Sequence, residues 1–598
     1  MTTATALQYL SEVVRNRLDV IADEMEGVLL RSSHSIVIKE GGDATCAIFD
    51  AAGEALAHAV AIPLHLGVMR PAMAEVLAEY RTTARDGDVY VLNDPSGGGT
   101  HLPDVIVSAP VFHEDRLIAL TSALSHHQDV GGMVFSSMPA HATELFQEGL
   151  VIPPLRLYDA GVRNDDVLRL IMRNVRLPQS FRGDLDGQVA AVLTGRKRLL
   201  ELIDDVGFDV FGAATAELLD RSERMTRAAI AEIPPGTYRF HDYLDHDGIE
   251  LGRKIRIEAA ITVGDGDFTV DFTGTDAQSR GPVNGPPSTA FSAVAYVLRA
   301  LSDAATPING GSERPIRLVL PPGTVVNPTP PAPVSLRAHL GRRVVDVLLG
   351  ALVEALPDRV PACSASINGA FSYAGVDPAT GHTYAITDTN VAAGMGALRD
   401  QDGTDALEMH TTNLLSIPTE ALELAAPVLV HRHALRPDSG GPGRWRGGLG
   451  TERTLELRRG AAVSCFRHER HETAPWGLYG GGVGARWEAV VARAGGEEEE
   501  VVPGKTIFEL HAGDELTVRT GGGGGFGDPL ERAPEAVLAD WLDGKVTLAH
   551  AEEAYGVAID ADAREVDEAR TQALRVRLAA AAPARATVDR GAAAEPGR

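Results

Sequence analysis

Cysteine is scarce in this chain. Cys46, Cys363 and Cys465 are spread over 598 positions and form no Cys-x-x-Cys pair. An odd, sparse count argues against a disulfide framework and fits a reducing compartment. Long apolar runs are also missing: none approaches the ~20 residues that a bilayer crossing needs. The N-terminus, MTTATALQYLSEVV, has no basic segment followed by an apolar core, so no signal peptide is visible. Basic residues are outnumbered, 55 Lys and Arg against 82 Asp and Glu, for a formal net charge of -27. No Lys/Arg cluster is long enough to form a phosphate-binding stripe, so nucleic acid is not expected as a partner. The acidity reads as a solvated surface that aids solubility. Together these absences predict a cytoplasmic protein with no membrane partner. Catalytic signatures are missing too. Gly521 to Gly525 lacks the GKS/T ending of a phosphate loop, and no GxSxG elbow or nucleophilic Cys/His pattern stands out. The five glycines suit a tight structural crossing instead.

What is present is enough apolar sequence, 44%, for a sizeable core. Leu7, Leu10, Val14, Leu18, Ile21, Met25 and Val28 recur at three- and four-residue steps, which predicts a helix over 5–31. Short apolar runs at 36–38 and 46–49 read as strands joined by a turn at Glu40-Gly41-Gly42-Asp43. Further helices are expected at 68–80, 185–229, 342–356, 534–542 and 548–555, and near-alternating strands after the Pro234-Pro235-Gly236 break. The expected fold is a mixed α/β (α+β) protein, large and multi-layered, with mixed sheets and a β-rich C-terminal part. Its regions are 1–233 (holding the candidate metal site), 234–424, 425–578 and a flexible low-complexity tail, 579–598.

The densest chemistry lies in residues 93–132. The pattern His-x-x-Asp occurs twice there, at His101/Asp104 and at His126/Asp129. Between the copies, two apolar runs, 105–112 and 117–124, flank the polar turn His113-Glu114-Asp115-Arg116, a hairpin signature. Pairing in register about that turn sets Asp104 opposite Ser125 and His101 opposite Gln128. Each open end then carries an imidazole and a carboxylate, a donor set suited to Zn, Mn or Fe(II). Asp104 and Asp129 serve either as ligands or as partners that orient an imidazole. Glu40 and Asp43, in a glycine-containing turn, are candidates for a further ligand or a general base. His65 stands alone in apolar sequence and reads as structural; Asp94 reads as a turn former.

Ten stretches resemble the hydantoinase B/oxoprolinase family: GDATCAIFD, NDPSGGGTHLPDV, SHHQDVGG, EGLVIPP, GDLDGQVAA, DFTGTDAQSRGPVN, PINGGSERPI, DSGGPGRWRGGLG, PWGLYGG and GGGGGFGDP. With the flanking helices they span roughly residues 5–557. No one motif is decisive; their order and spacing carry the resemblance. It implies a B-type subunit of an ATP-dependent hydantoinase or 5-oxoprolinase-like amidohydrolase. Such a subunit opens a cyclic amide after an A-type partner, with an actin-like ATP-binding fold, phosphorylates it. A hetero-oligomer and a divalent metal, Zn or Mn foremost, follow from the same resemblance, with ATP used by the partner. The implied metal ligands are His101, Asp104 and His126, and the implied catalytic acids or bases are Asp129, Glu40 and Asp43. The alternative it implies is the metal-bearing subunit of an ATP-dependent acetone- or acetophenone-type carboxylase, although such subunits are typically longer. Where the family commonly has an ERxDFS-like segment, this chain has EGGDAT: Gly41 replaces an Arg and Ala44 an aromatic residue.

Overall fold

Helix α1 (Thr3–Ser32) buries Val14, Leu18, Ile21, Met25 and Leu29, the face that the three- and four-residue spacing predicts. Each such side chain contributes about 1.5–3 kcal/mol on burial. The computed structural model describes residues 3–59, 62–365, 371–388, 392–496, 498–581 and 586–591. Residues 36–39 form a short helix, α2 (Ile36–Lys39), rather than the expected strand. Three apolar residues are too few to fix a strand by periodicity, and the Glu40 N–H closes a helical turn onto the Ile36 carbonyl (3.0 Å). The Glu40–Asp43 segment therefore joins a helix to a strand and is not a hairpin turn.

The first layer is an antiparallel sheet of seven strands. These are β1 (Ala44–Asp50), β2 (Ala55–His58), β3 (Val89–Leu92), β4 (Asp104–His113), β5 (Arg116–His126), β6 (Leu155–Asp159) and β7 (Val162–Arg163). They lie in the order β2-β1-β5-β4-β3-β6-β7. Side chains alternate across it. Cys46, Ile48, Val105, Val107 and Ala123 pack under α1 and two long helices, Pro178–Val206 and Phe208–Ala231. Ala47, Phe49, Ile106, Leu120 and Leu124 pack under the helix Leu66–Tyr80 on the other face. The β4–β5 loop is two residues, Glu114 and Asp115, both with positive φ, as a tight twisted hairpin requires.

The register of that hairpin differs from the expected one. Phe112 pairs with Leu117 but Val111 pairs with Ala119, leaving Ile118 as a one-residue bulge. Beyond it every pairing is shifted by one: Val105 faces Ser125, and Asp104 faces His126. Because directly opposed residues share a face, the bulge brings Asp104 and His126 to the same side of the sheet. His101 precedes β4 and is outside the ladder, its carbonyl accepting the Asp104 N–H (3.0 Å).

The central region holds a four-stranded sheet, Ile316–Val319, Asp267–Asp271, Ile255–Gly264 and Gly236–Leu244 in that order, covered by helices Pro287–Ala300 and Arg337–Leu352. Within the Pro-, Gly- and Asn-rich stretch 307–335, Gly310–Glu313 is a helical turn and Ile316–Val319 an edge strand paired in parallel with Asp267–Asp271. The C-terminal core lies between two sheets. One of them pairs Phe371–Val376 with Ala461–Arg467, so strand pairing crosses the boundary expected at 424/425.

Gly521–Gly525 is a close structural crossing. Gly394 and Gly441 donate to the carbonyls of Gly521 and Gly523, and Gly524 and Gly525 donate to Cys363 and Gly482. A Cβ at Gly522, Gly523 or Gly524 would sit 1.8–2.0 Å from a neighbouring carbonyl oxygen, so only glycine fits. Of the expected flexible tail, residues 582–585 and 592–598 lie outside the described residues. Glu568–Ala581 is helical, and Val588–Asp589 pairs with Gly477–Leu478, which ties that part of the tail to the body.

Candidate metal centre

Three donor atoms meet on the face of the first sheet that carries Asp104. His101 Nε2 lies 3.1 Å from Asp104 Oδ1 and 3.2 Å from His126 Nδ1, and His126 Nδ1 lies 3.1 Å from Asp104 Oδ1. Each element has a reason to deliver its residue. β4 begins at Asp104 and β5 ends at His126, directly across from it. His101 arrives on a loop that is held by Asn93, whose side chain bonds the Leu102 and Leu150 carbonyls and the Ile152 N–H. The loop packs on the Leu66–Tyr80 helix through Gly98, at φ 89°, where a Cβ would fall 2.4 Å from the Ala72 nitrogen.

The proton positions follow from the partners. The Ser335 carbonyl can only accept, so His101 carries its proton on Nδ1 (3.0 Å) and turns a bare lone pair at Nε2 toward the cluster. The Thr45 hydroxyl donates to the Ala44 carbonyl (2.7 Å), so its oxygen accepts from His65 Nδ1 (3.0 Å), and His65 Nε2 also faces the site as a lone pair, 3.7 Å from Asp104 Oδ2. Burial pushes His101 down to about 4 and His65 to about 3, so both imidazoles are neutral near pH 7. Burial raises Asp104, but the Arg337 guanidinium and the hydrogen bond from His126 outweigh it and hold its carboxyl well below the usual carboxylate range. Arg337 Nη2 and the Thr100 hydroxyl both bond its Oδ2.

Neutral imidazole and ionised carboxylate are the protonation states that bind metal. Lone pairs of His101 and Asp104 face each other at 3.1 Å with at most one proton, on His126 Nδ1, to share. Edges of about 3 Å are what donors ~2.0–2.2 Å from one cation would have. The residues therefore fit a divalent ion, and the outer partners Ser335, Thr45, Thr100 and Arg337 are of the kind that orient ligands. Two other acidic clusters fit less well. Arg470 Nη2 already lies 2.8–3.0 Å from Asp242, Asp346 and Cys363, and the His431/Glu456/Glu515 group includes exposed residues.

The triad opens on a cavity of about 60 Å³, room for a few water molecules. Ile62, Leu64, Met138, Leu336 and Leu414 supply apolar wall, and Asp43, His65, Arg337, His339, Thr387 and Arg467 supply polar wall. Asp43 lies at this cavity, 4.0 Å from His126 Nδ1, and burial raises its carboxyl to about 6. Asp129 and Glu40 are not among the lining residues. Asp129 is buried elsewhere: Oδ1 accepts the N–H of Gly131 (3.0 Å) and Arg176 (2.9 Å), and Oδ2 pairs with Arg176 Nη1 (3.0 Å). Glu40 caps α2. His65, which reads as structural in the sequence, thus faces the site, and Arg337 and Arg467 join it without having stood out there. For Arg337 the visible signal was the run RAHLGRR in a helix whose other residues are apolar except Asp346, since a buried arginine is rare unless paired.

The hydantoinase B/oxoprolinase description matches residues 8–529. The B-type subunit of the putative D-/L-hydantoinase of Pseudomonas sp. (strain NS671) is 34% identical over 94% of this chain and 97% of its own. The beta chain of the caprolactamase of Pseudomonas jessenii is 33% identical over 94% of this chain and 98% of its own. The crystal structure of the ATP-dependent caprolactamase from Pseudomonas jessenii superposes with a TM-score of 0.88, at 31% identity, over 95% of this chain and 99% of that one. A nucleotide-free acetone carboxylase structure shares the fold, with a TM-score of 0.87 at 23% identity over 96% and 83% of the two chains. The chain belongs to the hydantoinase B/oxoprolinase family. Among the described residues, no helix is long and apolar enough to cross a membrane.

Proposed function

We propose that this chain is the B-type subunit of an ATP-dependent hydrolase that opens a cyclic amide. A separate A-type subunit, with an actin-like ATP-binding fold, would phosphorylate the amide oxygen first. The convergence of His101 Nε2, Asp104 Oδ1 and His126 Nδ1 carries the reading. Family membership and the named relatives, from a hydantoinase and a caprolactamase, support it. An unstrained lactam is a poor electrophile, and phosphorylating its oxygen creates a leaving group.

His101, Asp104 and His126 would hold the cation, Zn or Mn, with His65 beside them. When bound, such an ion supplies Lewis acidity, polarising an oxygen or lowering the pKa of water. Arg337 and Thr100 hold Asp104 in place, and the Ser335 carbonyl fixes the His101 ring. Asp43 is the base we assign. It lines the cavity with Oδ2 4.0 Å from His126 Nδ1, so its carboxylate can take a proton from a molecule held beside the triad. Asp129 and Glu40 are better read as structural, given their partners and positions. The apolar wall would exclude bulk water from the reacting carbon.

Co-expression with an A-type subunit, followed by an ATP-hydrolysis screen over hydantoins, 5-oxoproline, caprolactam and ketones, tests the reading. ATP-dependent ring opening, lost with the bound metal in His101→Ala, is the expected result. Bicarbonate-dependent consumption of a ketone would replace it with the carboxylase reading. Full activity in His101→Ala and His126→Ala would overturn metal catalysis.

A further inference from the structure

The cavity beside the triad presents more buried hydrogen-bond donors than the protein satisfies. Arg337 spends Nη2 on Asp104, while its Nε and Nη1 have no protein partner. Arg467 spends Nη1 on the Met138 carbonyl (3.0 Å) and the Ser372 hydroxyl (3.2 Å), and its Nη2 has none. His339 Nδ1 and Thr387 Oγ1 are likewise buried and unpartnered. All four residues line the cavity and are 5% exposed or less. Arg342, on the same helix as Arg337, is fully buried; its Nη2 bonds Thr412 (3.0 Å) and Glu408 (3.4 Å), and its Nε and Nη1 are unpartnered. The first turn of the Arg337–Leu352 helix also forms part of the wall, adding the positive end of its dipole. The carboxylates on this wall are Asp104, committed to Arg337 and the imidazoles, and Asp43, 4.0 Å from His126 Nδ1.

An unpaired buried guanidinium is costly, and several such donors around one cavity amount to a site that an anion completes. Guanidinium forks match the geometry of phosphate oxygens. We propose that the cavity is a phosphoryl subsite: the substrate enters with its phosphate still attached, and Arg467, Arg337 and Thr387 bind that group beside the triad. The inference rests on the reading that the amide is activated by phosphorylation. It adds that this chain receives the phosphorylated species itself, so the bond from amide oxygen to phosphorus is intact on arrival.

The test is calorimetric titration of the metal-stripped, full-length chain with inorganic phosphate, with acetate in a parallel arm. One phosphate per chain and no acetate binding over the same concentrations is the expected result. Arg467→Gln should weaken phosphate by at least about tenfold. Thr387→Val, which removes a hydroxyl that no protein group uses, should weaken it about threefold and keeps the test alive should the arginine variant fail to fold. Equal phosphate affinity in the wild type and the Thr387→Val chain, acetate binding as well as phosphate, or phosphate binding only in the metal-loaded chain would each overturn the subsite. Because metal is absent from this titration, it can fail while metal loading and lactam turnover succeed, and the reverse.

Discussion

His101 and Asp104 lie where β4 begins; His126 and Asp129 lie where β5 ends. Both pairs are His-x-x-Asp, and both are buried. In the first pair the two side chains meet each other, at 3.1 Å, and share one cavity. In the second they part company: His126 turns to Asp104, while Asp129 caps a turn and pairs with Arg176, whose side chain is 29% exposed. The same motif thus ends as a cavity-facing pair in one place and as a cavity-facing histidine plus a structural cap in the other. Three-residue spacing does not impose a shared target; the neighbours waiting at each position do. Asp104 meets imidazoles and a fully enclosed arginine, whereas Asp129 meets backbone N–H groups and a surface-reaching one.

Breaking each carboxylate separates the two copies most sharply. Asp104→Ala should abolish metal binding and cost about 3–5 kcal/mol, because Arg337 is left buried and unpaired. Asp129→Ala should keep the metal and cost about 1–2 kcal/mol, since Arg176 can reach water. Urea unfolding with metal analysis of each variant measures both. Equal metal contents in the two variants would end the distinction.

The adjacent histidines give the next contrast. His126 faces the cavity, while His127 turns to the opposite side of the sheet, bonding Gln188 (2.9 Å) and packing on Phe181 at 4.1 Å. His126→Ala should lower metal affinity by more than the roughly 10–100-fold typical of outer partners. His127→Ala should leave affinity unchanged and lose about 1–3 kcal/mol of stability. Competition with a chromophoric chelator reads the first effect and thermal melting the second.

Deleting Ile118 isolates the bulge. The deletion sets Ala119 next to Leu117, so Val111 still pairs with Ala119 and Asp104 still faces His126. We expect a folded sheet by circular dichroism with metal still at one per chain; metal well below one per chain in that variant would mean that the bulge does more at the site than absorb one extra residue.

A further contrast is a pH dependence one step removed from the triad. Glu148 Oε1 accepts the Val334 and Ser335 N–H groups (both 2.8 Å), and burial raises its carboxyl from 4.5 to about 8. A raised folded-state value means the folded chain keeps a proton that the unfolded chain releases. Its stabilising share is therefore full below about pH 4.5 and is lost as pH rises toward 8. Glu148→Gln should flatten that stretch of the stability profile in urea titrations taken at successive pH values. An unchanged slope would show that Glu148 is ionised throughout.

Periodicity made much of the frame legible. Helix α1, the terminal helices at Pro534–Leu542 and Leu548–Tyr555, and the β4–β5 hairpin stand where spacing and turn residues put them. Misreadings fell where few residues carry the signal, as at Ile36–Lys39. The candidate site was half legible. The histidines and Asp104 stood close together in one stretch, whereas Arg337, Ser335 and Arg467 come from distant parts of the chain that only folding brings to the same cavity. His65 had no signal beyond its lone imidazole, because its role depends on Thr45 and Asp104 across the fold.

The sequence by itself determined the family, the mixed architecture with its β-rich C-terminal part, and the stretch from which metal ligands would be drawn. Side-chain periods and a shared run of motifs are local properties, readable one segment at a time. Tertiary structure alone decided that Asp43 reaches the cavity while Asp129 does not, and which arginines stand over it. A one-residue bulge moves every side chain beyond it to the other face, and whether a buried charge has a partner depends on residues hundreds of positions away.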